Sequence, residues 1–132
     1  MISIESLDRI ALKVKDIEAS ANWYERILGL QRVGPSSWNP YSVYLQAGDI
    51  GIALLPAATP KPSRIISGDW LILDHIAFRI PGKDFDHAQD HLKFHGVPFV
   101  VEKRAPYCSI LFKDPDGYRL ELVSIDQTSA LI

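Results

Sequence analysis

The sequence predicts an α+β fold of two βαβββ repeats, whose half-sheets curve together into a partly open, eight-stranded mixed barrel. Two observations carry this. Leu7-Asp8-Arg9-Ile10-Ala11-Leu12-Lys13-Val14 recurs as Leu73-Asp74-His75-Ile76-Ala77-Phe78-Arg79-Ile80, an offset of 66 residues, and self-similarity at a fixed period marks a repeated supersecondary unit. The same order of periodicities then follows each copy: alternation, helical spacing, and three further β-rich runs.

In the first repeat (about 5–55) the alternating run 6–14 leads into helical spacing over 17–28, which Gly29 stops. Short β-rich runs follow at 30–34, 41–47 and 50–55. In the second repeat (about 72–125) the strand 72–80 leads into a helix over 84–95 ending at Gly96, and then into runs 97–103, 107–113 and 118–125. Asp114-Pro115-Asp116-Gly117 joins the last two as a tight turn, Pro presetting φ and Gly free to take positive φ. The linker 56–71 is rich in proline and lacks periodicity, and the tail 126–132 carries no clear signal.

At 132 residues the chain suits one domain, and 47% hydrophobic residues suffice for a core. The 14 basic and 16 acidic residues are dispersed, with a formal charge of −2, which argues against a nucleic-acid footprint. No apolar run reaches the roughly 20 residues of a membrane span, and the start lacks a signal-peptide layout, so a cytoplasmic location is expected. The single cysteine, Cys108, excludes an intrachain disulfide and reads as a semi-buried strand residue.

Strand alternation assigns faces. Ile10, Leu12 and Val14 must pack on a helix, leaving Arg9, Ala11 and Lys13 on the other face; Ile76, Phe78 and Ile80 leave His75, Ala77 and Arg79. In the last strand Leu120 and Leu122 are core, so Arg119, Glu121 and Val123 share the second face with Ser42, Tyr44, Ser109 and Leu111. A concave side that collects Arg9, Lys13, Arg79 and Arg119 around Glu121 and His75 reads either as cations reaching water at strand ends or as a basic crevice preferring an anion. His87, His91 and His95 lie at i, i+4 and i+8 and read as a solvated stripe, since Phe85, Ala88 and Leu92 already supply the buried face. Trp38, Tyr41 and Tyr107 flank the presumed pocket strands, where they either pack at the rim or stack on a ligand.

The LDxIALxV opening, Trp23-Tyr24 with Leu28-Gly29-Leu30, the LDHIAF repeat, and DPDG followed by Arg119-Leu120-Glu121 occur in order on the duplicated frame. Over residues 5 to about 125 the chain resembles the glyoxalase/bleomycin resistance protein/dioxygenase (vicinal oxygen chelate) superfamily. The resemblance implies metal ligands at the concave ends of the first and last strands of each repeat, which by position are Arg9, Ala53, His75 and Glu121. His75 and Glu121 suit Zn²⁺, Ni²⁺, Mn²⁺ or Fe²⁺, but a catalytic ion ordinarily takes three protein ligands. Arg9 is not a ligand, because a guanidinium stays protonated and has no lone pair to offer.

Two functions follow from the resemblance. One is a metal-assisted lyase or dioxygenase, with Glu121 as ligand and proton carrier and Arg9 as electrostatic stabiliser. The other is a metal-free protein that sequesters a small aromatic or anionic compound, with Arg9 in the ion's place, paired with Glu121. Ligand-binding positions would be Arg9, Ser42, Tyr44, Ser109, Arg79 and Arg119. Fosfomycin-type thiol transfer fits less well, since that branch would want a hydroxyl residue at Ala11 and a Tyr at Leu111. Homodimerisation is a further expectation from the resemblance.

Overall fold

The computed structural model describes residues 1–34, 42–58 and 71–126. The expected Trp38 and Tyr41, most of the linker and the end of the tail lie outside them. The chain divides into two compact units, Met1–Arg64 and Ile65–Ile132, which correspond to the two repeats.

The first unit runs β1 (Ile10–Val14), α1 (Ile17–Leu28), β2 (Gln31–Val33), β3 (Val43–Ala47) and β4 (Ile50–Pro56). Its four strands are ordered β1-β4-β3-β2, β1 parallel to β4 and the rest antiparallel. Helix α1 starts where the Asp16 carboxylate accepts the Ala19 N–H at 3.0 Å, satisfying a donor the first turn cannot use. It ends at Gly29, whose φ of 69° is the left-handed conformation a helix stop calls for. Ser20, Ala21, Tyr24 and Ile27 form its buried stripe, against a core that includes Leu12, Val14, Leu45, Ile52 and Leu54. Arg32 on β2 ties back to α1 through Glu18 at 2.9 Å and Glu25 at 2.8 Å.

The second unit repeats the plan. A 3-10 turn (Gly82–Asp84) leads into α2 (Phe85–Phe94), between β5 (Ile76–Arg79) and the strands β6 (Val100–Arg104), β7 (Tyr107–Lys113) and β8 (Arg119–Ile125). The order is β5-β8-β7-β6, with β5 parallel to β8. Ile76, Phe85, Leu92, Ile110, Phe112, Leu120 and Leu122 form its core. The turn before β8 is held by the buried Asp114, whose Oδ1 accepts the N–H groups of Asp116 and Tyr118 at 2.9 and 2.8 Å.

The periodicity placed α1, β4 and β7 within a residue of their observed limits, but both first strands are shorter than expected. Runs 6–14 and 72–80 yield ladders only from Ile10 and Ile76. The ladders open with Ile10 against Ile52 and Ile76 against Leu120, although β4 already starts at Ile50 and β8 at Arg119, so the residues before Ile10 and Ile76 leave the ladder before their partner strands end. The first β-run after the second helix likewise starts at Val100 rather than residue 97, because Val97 donates to Leu92 and Pro98 has no N–H to give. The second helix begins with the 3-10 turn instead of at residue 84, since Asp84 donates to Pro81 and its side chain caps nothing.

Register verifies the internal equivalence that sequence offsets suggested. Ala11 pairs Ala53 and Ala53 pairs Tyr44 in the first unit; Ala77 pairs Glu121 and Glu121 pairs Leu111 in the second. Ala53 therefore stands where Glu121 does, and Tyr44 where Leu111 does.

Candidate functional site

Each unit brings part of the expected site together. In the second, β8 alternates cleanly: Leu120 and Leu122 are buried, while Arg119, Glu121 and Val123 turn to the opposite face. That face borders a cleft of about 740 Å³ lined by Asp74, His75, Arg119, Glu121 and Lys113, with Pro98, Phe99, Val100 and Leu111 as an apolar wall and Glu102 beyond. The volume is that of a small-molecule site.

His75 lies one residue before β5, facing the cleft. Its Nδ1 lies 2.8 Å from an Asp74 carboxylate oxygen, and its Nε2 lies 3.9 Å from Oε1 of Glu121. A carboxylate can only accept, so Nδ1 carries the proton toward Asp74 and the Nε2 edge of the ring faces the Glu121 side. The hydrogen bond from His75 holds the Asp74 carboxyl below its ordinary value, helped by the charge of Arg119. Asp74 therefore stays ionised, and holds the ring, throughout the neutral range. Glu121 is much less exposed than its partner, 18% against 44% for the side chains, so its carboxylate is presented from the wall and not from the rim.

In the first unit Arg9 lies with its guanidinium carbon 5.3 Å from the ring centre of Tyr44 and its Nη1 2.6 Å from Asp8. These residues line a small hollow of about 120 Å³ with Val33, Gln46 and Gly51. Gly51 is required there: a Cβ would come within 2.7 Å of the Asp8 carbonyl oxygen and 3.1 Å of the Arg9 Cβ, so any side chain would displace the segment that holds Arg9. Ser42 is half-buried just before β3.

Of the expected residues, His75, Arg119 and Glu121 share one cleft, and Arg9 shares a hollow with Tyr44. Ser109 lies half-buried on the cleft-facing side of β7 without lining the cleft, and Arg79 is exposed at the end of β5. His91 and His95 stack edge to face at 4.6 Å on α2, outside the cleft. Sequence reasoning missed Asp74, Lys113, Glu102 and Phe99. Alternation alone could have found Lys113, two residues beyond Leu111 on the same face.

The donor set can be tested against a metal ion. Two tetrahedral ligands at about 2.0–2.1 Å from zinc are roughly 3.4 Å apart, so His75 and Glu121 at 3.9 Å would need only a small inward adjustment. Asp74 holds the imidazole as an outer carboxylate does for a ligating histidine. Yet among the described residues no group of three His, Cys, Asp or Glu side chains is placed to hold an ion. Among the described residues His75 and Glu121 supply two donors, one short of the three protein ligands a catalytic ion ordinarily takes.

The family model for the Glyoxalase/Bleomycin resistance protein/Dioxygenase superfamily matches residues 6–122. The chain belongs to this superfamily. It is similar to a protein described as glutathione transferase FosA of Serratia marcescens, with 28% identity over 119 residues, 90% of this chain and 80% of that one. It is also similar to glyoxylase I 4 of Arabidopsis thaliana, at 26% identity over 95% of this chain and 74% of the relative. Among solved structures, the genomically encoded fosfomycin resistance protein FosX of Listeria monocytogenes superposes with a TM-score of 0.75 at 22% identity, covering 98% of each chain. That likeness establishes the vicinal oxygen chelate fold of paired βαβββ modules. Among the described residues, no helix is long and apolar enough to cross a membrane.

Proposed function

We propose that this superfamily member binds a small organic molecule in the cleft of its second repeat without a resident catalytic metal, Arg9 standing at the place of an absent ligand. The observation that carries this reading is the His75–Glu121 pair: an imidazole nitrogen and a carboxylate oxygen 3.9 Å apart, with no group of three metal-binding side chains formed around them among the described residues. That gap is too wide for a direct hydrogen bond. It suits a ligand hydroxyl that donates to Glu121 while a second donor on the ligand meets Nε2 of His75. Carboxylate and imidazole are also competent proton acceptors toward an acidic group held between them. The apolar wall of Phe99, Val100 and Leu111 supplies the burial that holds the ligand body.

A second reading, metal-assisted lyase or dioxygenase chemistry, is favoured by one observation, the Asp74 carboxylate on Nδ1 of His75. Elemental analysis of the purified protein, followed by calorimetric titration with Zn²⁺, Ni²⁺, Mn²⁺ and Fe²⁺, separates the two. The expected result is no stoichiometric metal, together with binding of neutral and charged aromatic fragments that Glu121→Gln weakens severalfold. Stoichiometric metal that is lost in Glu121→Ala would overturn the metal-free reading in favour of the second.

The protein is further proposed to be cytoplasmic and to work as a homodimer. Sedimentation should then give twice the 14.8 kDa chain mass, and a monomer mass at micromolar concentration would contradict it.

A further inference from the structure

Charge is distributed unevenly along the strands of the cleft, and register shows how. Glu121 on β8 faces Leu111 on β7, which faces Val100 on β6, so the row through the carboxylate turns apolar within one strand. Two residues toward the Asp114 turn, Arg119 pairs directly with Lys113. His75 adjoins this row at the start of β5, and Pro98 borders it ahead of β6. Directly opposed residues of an antiparallel pair have Cβ atoms about 5 Å apart, and like charges there are destabilising.

Among the described residues a single long ion pair reaches these two cations. Among the described residues the Lys113 side chain has no ion pair or hydrogen bond. Arg119 meets only Asp74, at 3.5 Å, and that carboxylate is already engaged by His75 at 2.8 Å. A cationic pair kept side by side at the border of an apolar cleft is a counter-charge waiting for an anion.

We infer that Lys113 and Arg119 form an anion subsite, and that the ligand is a small aromatic monocarboxylate carrying a hydroxyl at its far end. This rests on the reading that the cleft binds a small molecule. The carboxylate lies between Lys113 and Arg119, the ring lies against Leu111 and Phe99, and the hydroxyl donates to Glu121. Same-face residues two apart on a strand are separated by about 6.8 Å, a span matched by one benzene ring with para substituents. Asp74, Glu102 and Glu121 also line the cleft, so a monoanion is selected over a dianion.

The test is calorimetric titration with 4-hydroxybenzoate, 4-hydroxybenzamide, benzoate and the neutral fragment phenol. In the wild-type protein the acid should bind at least fivefold more tightly than the amide. Lys113→Gln and Arg119→Gln should each remove most of that preference and leave the amide unchanged, while Glu121→Gln should remove the advantage of 4-hydroxybenzoate over benzoate. The unfolding midpoint of ligand-free Lys113→Gln should equal or exceed that of wild type, because a like-charge contact is lost; a lower midpoint would assign Lys113 a structural role and count against the subsite. Equal affinities for acid and amide, or a preference that survives both substitutions, would overturn the subsite and leave the cleft's binding role standing. Binding of none of the four would overturn both.

Discussion

Truncating Leu120 to alanine is expected to lower the free energy of unfolding by about 3 kcal/mol, read from urea denaturation. Leu120 is 1% exposed, and its register neighbours Ile76 on β5 and Phe112 on β7 are buried with it. Removing its branched end would leave a cavity between three strands, which already share ladder hydrogen bonds and can close on it only partly. Leu120→Met, which conserves volume, should cost less than about 1.5 kcal/mol. The substitution also reaches the site. Arg119 and Glu121 flank Leu120 and face the cleft because Leu120 faces the core, so a loosened β8 should weaken ligand binding in the folded protein as well. A loss under about 1 kcal/mol for the alanine variant would mean that this strand is not anchored by its inward side chains, and the facing of Glu121 would need another cause.

That dependence explains what the sequence made legible. Alternation and helical spacing are local, so α1, β7, β8 and the duplication of LDRIALKV as LDHIAFRI could be read directly from residue order, and with them the facing of His75, Arg119 and Glu121. Strand length is not local. Residues 6–9 and 72–75 continue an acceptable alternation but join no ladder, since pairing opens only at Ile10 and Ile76. The same limit hid half of the cleft. Lys113 acquires meaning only once register sets it against Arg119, and Asp74 only once its carboxylate is seen on His75 Nδ1. Phe99 and Val100 read as ordinary strand residues until β6 is placed beside β7, where they become the apolar wall.

The repeat also bears on the metal question. Ala53 and Glu121 hold the same place in the two register patterns, as do Arg9 and His75 ahead of their first strands. The duplicated frame thus offers two pairs of equivalent positions, and only the second repeat fills both of its own with donor side chains. An alanine removes a ligand without consequence for charge. An arginine removes one and adds a fixed positive charge, which opposes any divalent ion nearby.

Arg9→His is therefore expected to raise affinity for divalent metal at least tenfold over wild type, about 1.4 kcal/mol, measured by calorimetric titration with Zn²⁺ and Ni²⁺. The substitution does two things, and a second variant separates them. Arg9→Ala removes the charge and adds no ligand. If the ligand positions that the superfamily resemblance implies carry over to this chain, alanine should recover only part of the gain, and the imidazole should supply the rest by completing a three-donor set with His75 and Glu121. Adding Glu121→Gln to Arg9→His should then abolish most of the gain, because the set falls back to two strong donors. Equal gains from the alanine and histidine variants would mean that charge alone kept the ion away and that the introduced imidazole is not a ligand. Equal metal affinity in wild type and Arg9→His would remove the carry-over itself, and the cleft of the second repeat would have to be understood without reference to Arg9.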